Sequence, residues 1–104
     1  MGVIRYDHSD NHMRFDTNGS ERMRITSGGD VAINVTTPSA RLHVNSSTTN
    51  LVSLFQSTDS VAKIGLYDNS TSNIYSVAVG AVGDDMTLSA GSGGTERMRI
   101  TSGG

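Results

Sequence analysis

The chain has 104 residues, of which 35% are apolar, and its formal net charge is −2. Its 8 Lys and Arg residues form no basic cluster, which excludes nucleic-acid binding through a broad positive face. No apolar run approaches the roughly 18 residues of a membrane span, so membrane insertion is not expected. The absence of Cys excludes disulfide scaffolds and thiolate metal sites.

Small polar residues dominate the composition. Ser, Thr, Gly and Asn together supply 45 of the 104 residues, and Trp is absent. Ordering one residue costs roughly 1.5 kcal/mol, whereas burial returns only about 25 cal/mol for each Å² of apolar surface. An isolated folded monomer would therefore be marginal, and we expect the apolar residues of several copies to share one core.

Short runs of alternating apolar and polar residues predict β-strands along most of the chain. In chain order these runs cover residues 3–6, 13–15, 23–25, 31–35, 42–44, 51–55, 61–67, 74–79 and 86–88. Between them lie clusters of Gly, Asn, Asp and Ser, which are typical of tight turns. No stretch shows a helical period with caps at both ends. The predicted fold class is all-β, with about nine or ten short strands.

The only proline lies between two of these runs. Pro38 cannot donate a backbone hydrogen bond, and it favours an extended conformation at Thr37. The segment 36–41 is therefore predicted to form a corner between strands.

An internal repeat is the most informative feature of the sequence. Residues 20–29 return 75 positions later as residues 95–104, with nine identities in ten positions. Upstream the match continues if two residues are inserted in the Gly-rich loop of the second copy. This alignment places Ile4, Tyr6, Met13 and Phe15 opposite Val77, Val79, Met86 and Leu88.

The repeat predicts the domain organisation. Residues 1–29 are interpreted as the C-terminal part of one fibre repeat. Residues 30–104 form a further repeat of about 75 residues, which ends in the recurring TERMRITSGG strand. We expect the chain to be a slice of a longer array.

The recurring strand has two faces if its side chains alternate regularly. One face then carries Glu21, Met23 and Ile25, and the other carries Arg22, Arg24 and Thr26. We predict that Met23 and Met98 are buried. The arginines are predicted on the opposite, wetter face: Arg22, Arg24, Arg97 and Arg99. Solvated arginines are the favoured interpretation, with ligand binding and an inter-subunit salt bridge as alternatives.

Residues 18–27, followed by Gly29–Ile33 and Thr36–Val44, resemble a motif of bacteriophage tail fibres. In that family a strand reading ERMRI leads through a Gly turn to NVGIGTTSPSAKLHV. Here Ala32 and Asn34 replace the glycines of GIG, and Arg41 replaces the lysine. The resemblance covers about residues 12–44 and 86–104.

The resemblance implies a parallel homotrimer in which strands of three chains wrap a common axis. The expected architecture is an intertwined, repetitive fibre of the β-prism, β-spiral or β-helix type. The implied function is a structural shaft segment of a viral tail fibre in the virion, which carries length and stiffness towards host attachment. Family members often end in a self-cleaving domain that uses a serine and a lysine. Nothing here matches that domain, and Lys63, the only lysine, lies in a strand-like run.

Three groups of residues could carry chemistry, but each is interpreted as structural. Asp84 and Asp85 could be the paired acids of a glycosidase, although sequence neighbours in a Gly-flanked turn usually point apart. The loop Asp7–His12 could bind a divalent ion but lacks a recognised ligand spacing. His43 is interpreted as a strand residue at the surface or between chains. We predict no catalytic, cofactor-binding or metal-binding residue, and we do not expect an enzyme.

Two other functions stay open. A carbohydrate- or receptor-binding module could use the loops Asp7–Asn11 or Asp68–Asn73 to contact host glycan. A depolymerase would need paired acids on a long β-helix, which is the less favoured alternative. In addition, the repeat predicts end-to-end stacking, because the strand 96–101 should present the same edge as the strand 21–26.

Overall fold

The computed structural model describes residues 1–104. The fold is all-β, as predicted, and contains no helix. Its strands are β1 (Val3–Asp7), β2 (His12–Thr17), β3 (Ser20–Ile25), β4 (Val31–Ile33), β5 (Leu42–Val44), β6 (Val61–Gly65), β7 (Ala78–Val82), β8 (Asp85–Ala90) and β9 (Thr95–Ile100). The chain divides into two compact units, Met1–Leu54 and Phe55–Gly104, and each contains one sheet.

The first sheet has the strand order β1-β2-β3-β4-β5. The first three pairings are antiparallel, whereas β5 runs parallel to β4. A tight turn joins β2 to β3, and both of its central residues have a positive φ: 51° at Asn18 and 73° at Gly19. Asn and Gly adopt this conformation readily, and such a turn matches the right-handed twist of the paired strands.

The β4–β5 connection contains the predicted corner at Pro38. The residue that leaves β4 is Asn34, which has a φ of 59°. Its side-chain Nδ2 donates to the carbonyl oxygen of Asn45 at 2.9 Å, which ties the start of the connection to the residue just after β5. Asn is one of the few residues other than Gly that tolerate this conformation. Asn34 can therefore stand where the tail-fibre motif has a glycine.

The second sheet has the order β6-β7-β8-β9 and is antiparallel throughout. Its last three strands repeat the pairing of β1, β2 and β3, but the loops differ in length. The turn between β7 and β8 is two residues shorter than that between β1 and β2, and the β8–β9 loop is two residues longer than the β2–β3 turn.

The strand registers correct part of the sequence alignment. Ile4 and Tyr6 pair with Phe15 and Met13, whereas Val79 and Ala81 pair with Leu88 and Met86. The structural counterparts of Ile4 and Tyr6 are therefore Val79 and Ala81, two residues later than predicted. The alignment allowed for the longer β8–β9 loop but missed the shorter β7–β8 turn.

Two of the predicted strands are wrong in position or existence. Residues 51–55 form no strand and belong to neither sheet. The run predicted at 74–79 begins as a turn, and the strand there is β7, Ala78–Val82. Gly80 made the end of that strand difficult to identify, since Gly is depleted in strands.

Directly opposed residues share a face, and most of the large apolar side chains of each sheet lie on the same face. We call these the apolar faces. The exceptions are Val3 in the first sheet and Val61 and Val82 in the second. In the first sheet the apolar face carries Ile4, Tyr6, Met13, Phe15, Met23, Ile25, Val31, Ile33, Leu42 and Val44. In the second sheet it carries Ala62, Ile64, Val79, Ala81, Met86, Leu88, Met98 and Ile100.

Neither unit covers its own apolar face with a second layer. The only buried hydrophobic residues are Ala32 and Ala78, and both lie on the faces opposite the apolar ones. Met98 is 53% exposed, so the prediction that it is buried is wrong for the single chain. Met23 is half-buried. The physical reason is that a single sheet layer has no second layer to pack against its apolar face.

Gly80 marks a close approach in the middle of the second sheet. A Cβ atom at this position would lie 2.8 Å from the carbonyl oxygen of Ala62 and 2.9 Å from Cγ of Lys63. We therefore expect Gly80→Ala to lower the free energy of unfolding by about 1–2 kcal/mol through strand displacement. Urea unfolding followed by circular dichroism measures this change. Gly103→Ala, where the added atom meets nothing within 4 Å, is the matched control.

Candidate functional site

A β-bulge shapes the recurring strand in both copies. In the first sheet Phe15 pairs with Met23 and Asp16 pairs with Glu21, which leaves Arg22 as an extra residue. The second sheet repeats this register shift, and the extra residue there is Arg97. A bulge of this kind re-aims the side chains that follow it and increases the local twist.

The bulge overturns the predicted alternation of the strand. Glu21 does not share a face with Met23 and Ile25, because the extra residue Arg22 moves it to the face of Arg24. Arg22 itself is exposed, and its Nε donates to Oγ1 of Thr17 at 2.9 Å. The arginines predicted to share a wet face therefore separate, with one at the bulge and one in an ion pair.

The ion pair joins Glu21 to Arg24. Nε and Nη2 of Arg24 donate to Oε1 of Glu21 at 3.0 and 2.7 Å. The two side chains are only 14% and 15% exposed, so Arg24 is far better buried than the exposed Met98. The second copy makes the corresponding pair, with Arg99 donating to both carboxylate oxygens of Glu96 at 2.8 Å.

Five residues of β2 and β3 form what we call the charged face of the first sheet: His12, Arg14, Asp16, Glu21 and Arg24. Arg14 donates from Nε and Nη2 to the two oxygens of Asp16 at 2.8 and 2.7 Å. This hydrogen bonding holds the pKa of the Asp16 carboxyl below its usual range and raises that of Arg14. Fork-shaped pairs of this kind are geometrically specific.

Glu21 also stands between two arginines. Arg14 and Arg24 lie directly opposite each other on paired strands, where like charges repel. Oε1 of Glu21 lies 2.7 Å from Nη2 of Arg24 and 3.6 Å from Nε of Arg14. Glu21 is thus the hydrogen-bonded partner of Arg24 and a more distant second neighbour of Arg14, whose own partner is Asp16.

His12 is buried at the end of the charged face. Its Nδ1 contacts Oδ1 of Asp10, while Nε2 lies 3.9 Å from Oε1 of Glu21 and has no hydrogen-bond partner. In the second sheet the counterpart of His12 is Asp85, whose Oδ2 accepts from Nη1 of Arg99 at 2.9 Å. The same position thus holds a different group in each copy.

The loop Asp7–His12 is organised by its own hydrogen bonds. Oδ1 of Asp7 accepts from the backbone N of Ser9 at 2.9 Å and from its hydroxyl at 2.6 Å. The Ser9 hydroxyl lowers the pKa of the Asp7 carboxyl. No group of three or more His, Asp or Glu side chains is placed to hold a metal ion.

Asp84 and Asp85 are not arranged as a pair of reacting acids. Asp84 is exposed in the turn after Gly83, whereas both oxygens of Asp85 are engaged. Its Oδ1 accepts from the backbone N of Ser102 at 2.8 Å, and this bond, with the contact to Arg99, lowers the pKa of the Asp85 carboxyl. His43 likewise has a local role: its Nδ1 accepts from the backbone N of Ser39 at 3.1 Å.

Two tyrosines flank the other loop considered for binding. Tyr67 and Tyr75 lie on either side of Asp68–Asn73, and both are largely exposed. Asp68 is tied up inside the loop, since its Oδ1 accepts from the hydroxyl of Thr71 at 2.7 Å and its pKa is lowered by that bond. The aromatic rings, rather than the carboxylate, are the groups free to meet a ligand.

The bulge and the ion pair were missed in the sequence, although a signal was present. Glu21 and Arg24 are three residues apart, as are Glu96 and Arg99, and a regular strand would put each pair on opposite faces. If opposite charges at that spacing form an ion pair within one strand, the strand must contain an extra residue between them, which is a β-bulge. The two copies share this spacing.

The lowered pKa of Asp16 predicts how stability depends on pH. A carboxyl whose pKa in the folded state lies below its unfolded value of about 3.9 stabilises the fold above that pH. This contribution is lost as the pH falls through the folded pKa. We therefore expect the melting temperature to decrease as the pH is lowered below about 4. Asp16→Asn should melt lower at pH 7 and show a shallower acid decline; an unchanged acid decline would contradict this.

A comparison with protein-family models, with curated proteins and with solved structures finds no match to this chain. No helix of the structure is long and apolar enough to cross a membrane. The functional argument therefore depends on the geometry of the two sheets.

Proposed function

We propose that this chain is a shaft segment of a bacteriophage tail fibre, in which parallel copies close their apolar faces against one another. The observation that carries this proposal is that both sheets present a complete apolar face and that neither is covered by a second layer of its own unit. The resemblance of residues 12–44 and 86–104 to tail-fibre repeats favours three copies. The expected location is the virion.

The accessible surface supports an assembly. The chain exposes 7676 Å² for a mass of 11.0 kDa. A folded monomer of that mass exposes roughly 5,600 Å², and two separate domains of half the mass would together expose roughly 6,800 Å². The excess of about 900–2,000 Å² is comparable to the roughly 800 Å² that each partner buries in a standard stable interface.

The charged faces support a structural role as well. Within each recurring strand the Glu–Arg pair is satisfied locally, so neither the largely buried Glu21–Arg24 pair nor the more exposed Glu96–Arg99 pair needs a ligand to compensate it. Asp84, Asp85, His43 and the loop Asp7–His12 form no constellation of nucleophile, base and substrate space. Each sheet instead has one face on which Glu–Arg pairs neutralise each other and one exposed apolar face that can pack against another copy.

Light scattering with size exclusion tests the assembly. Three copies of 11.0 kDa give about 33 kDa, and a trimer is the expected result. Electron micrographs of the same sample should show elongated particles. A folded, cooperatively unfolding monomer of 11.0 kDa would overturn the proposal.

End-to-end stacking is the second part of the assembly proposal. We expect Ser102–Gly104 of one molecule to lie near Met1–Gly2 of the next, since exposed strand edges favour pairing. Sedimentation velocity over a range of concentrations should show growing species. A single trimeric species at every concentration, with crystals that show no axial contacts, would remove this part.

Glycan binding is the second candidate function, and the exposed Tyr67 and Tyr75 beside the loop Asp68–Asn73 favour it. Aromatic rings that offer an apolar face at the protein surface are suited to stacking on sugar rings. A glycan array tests this function, with Tyr67→Ala and Tyr75→Ala as the variants expected to lose binding. Release of reducing sugar from capsule would instead indicate a depolymerase.

A further inference from the structure

The outer edge of β9 is a copy of an edge that is occupied elsewhere in the same chain. In the first sheet β3 lies between β2 and β4, whereas in the second sheet β9 has only β8 beside it. The residues along the two edges are the same from Glu21 to Gly29 and from Glu96 to Gly104. An edge strand presents a row of unpaired backbone groups that can pair with another segment.

The way β4 binds to β3 defines what that edge accepts. The strands are antiparallel, and Ala32 lies directly opposite Arg24. The backbone N of Thr26 donates to the carbonyl oxygen of Asp30, and the N of Asn34 donates to that of Arg22, both at 2.9 Å. The corresponding groups on β9 are the N of Thr101 and the carbonyl oxygen of Arg97.

The turn beyond β9 already has the shape of the turn that leads into β4. The backbone N of Gly29 donates to the carbonyl oxygen of Thr26 at 2.9 Å, and Gly104 donates to Thr101 at the same distance. Both glycines have a positive φ, 86° and 100°. The outer edge of β9 is thus prepared in the geometry that β3 has when β4 is bound.

The exposure of the side chains shows what the second sheet lacks. Arg99 is 34% exposed, whereas Arg24, beside β4, is 14% exposed. Met98 and Ile100 are exposed, while Met23 and Ile25 are half-buried. A β4-like strand would therefore add apolar contacts on one side and shield the Arg99–Glu96 pair on the other.

We propose that the outer edge of β9 is an acceptor site for an extended segment with the large–small–large pattern of Val31–Ile33, in antiparallel register with Ala32 opposite Arg99. The small residue is required opposite the arginine, where Ala32 is fully buried beside Arg24. The partner is a segment of the same repeat type. The purpose of the site rests on the proposed fibre, because it would join successive repeats of the shaft.

The opposite edge of the repeat unit is a built-in negative control. β6 pairs with the outer edge of β7, where Lys63 lies opposite Gly80. The counterpart of Gly80 in β1 is Arg5, since Gly80 pairs with Thr87 as Arg5 pairs with Arg14. A β6-like segment on β1 would place Lys63 opposite Arg5, and like charges directly opposed are destabilising. The edge of β1 is therefore not equivalent.

The test adds a synthetic peptide of residues 29–45 to the full chain and follows amide exchange by NMR. We expect the amide protons of Arg99 and Thr101 to exchange at least tenfold more slowly at saturation. A peptide with Ala32→Pro, which loses the central backbone donor, should not bind. The matched control is a peptide with Thr37→Pro, outside the strand, which should bind. A peptide of residues 60–66 should leave unchanged the amides of Ile4 and Tyr6, which face the free edge of β1 as those of Val79 and Ala81 face β6.

A variant of the chain tests the same site from the other side. Thr101→Pro removes the N–H that would donate to Asp30 of the peptide, and it should abolish protection, whereas Thr101→Ser should keep it. The exchange of the Met98 amide reports whether β9 stays paired to β8. If Thr101→Pro loses that pairing, the two proline-substituted peptides decide the question alone.

Several results would overturn the acceptor site. The first is that the parent peptide leaves the exchange of the Arg99 and Thr101 amides unchanged, which would mean that it does not bind this edge. The second is that the Ala32→Pro peptide protects both amides as well as the parent peptide does, which would mean that the β4-like pairing is not used. If both amides are protected before peptide is added, protection lost on dilution means that another copy fills the edge and supports the site. Concentration-independent protection would overturn it. Light scattering tests the fibre proposal separately, because it measures the mass of the assembly and not peptide binding. A monomer that binds the peptide would overturn only the fibre proposal, and a trimer that does not bind it would overturn only the acceptor site.

Discussion

Replacing Met23 with Asp is expected to convert the assembly into monomers. Met23 lies on the apolar face between Phe15 and Ile33, its neighbours on β2 and β4. In an assembly closed through the apolar faces, the new carboxylate would be buried without a partner, at a cost of about 3–5 kcal/mol per chain. The measurable results are a fall in mass towards 11.0 kDa and a lower melting temperature at equal protein concentration.

Ser27→Asp is the matched control for this experiment. It adds the same charge in an exposed turn, two residues after the end of β3 and four before the start of β4, on neither apolar face. It should leave the mass and the melting temperature unchanged. A Met23→Asp variant with the parent's mass and melting behaviour would show that the apolar face of the first sheet is not the contact surface.

The predicted strands succeed where alternation and turn residues agree. β1, β2, β3 and β5 lie where period-two runs end in Gly, Asn or Pro segments, so both signals locate the same strands. Of these only β5 has both predicted ends, since β2 and β3 extend beyond the predicted runs 13–15 and 23–25. The run at 51–55 fails because alternation reports only that a segment could form a strand. A strand also needs a neighbour for its backbone groups, and that depends on the rest of the chain.

The faces of the recurring strand were harder to predict than its position. Regular alternation placed Glu21 beside Met23, and one extra residue in the ladder reversed that assignment. A bulge changes no composition and little hydrophobicity, so the pattern of apolar residues does not reveal it. The spacing of Glu21 and Arg24 reveals the bulge only if the two residues are assumed to form an ion pair.

The balance between the two faces follows from the same bulge. With Glu21 moved beside Arg24, the charged face neutralises itself within one layer, and it holds Ala32 buried against it. The apolar face is left with nothing but large side chains and no charge. The low apolar content and the exposed apolar face are therefore consistent with each other, and a core shared between copies stays a prediction.

Removing the charge of Glu21 is expected to weaken the first sheet more than the same change weakens the second. Glu21→Gln removes the carboxylate bonded to the buried Arg24, which then faces Arg14 across the ladder while Arg14 keeps Asp16. We expect the free energy of unfolding to fall by about 2–3 kcal/mol. Glu96→Gln is the matched control. Arg99 keeps Asp85 at 2.9 Å, so its loss should be below about 1 kcal/mol.

The second sheet also suggests the variant that should relieve this loss. Thr87 lies opposite Arg99 at the position that Arg14 occupies opposite Arg24. In an Arg14→Thr background Arg24 no longer faces an arginine, and Asp16 loses its partner directly opposite Glu21. Glu21→Gln should cost less there, because it also removes the repulsion between the two carboxylates, with a coupling of about 1 kcal/mol in a double-mutant cycle. Urea unfolding at constant protein concentration gives all four free energies. Equal costs of Glu21→Gln in both backgrounds would mean that Glu21 stabilises Arg24 alone and that the opposed arginines do not interact.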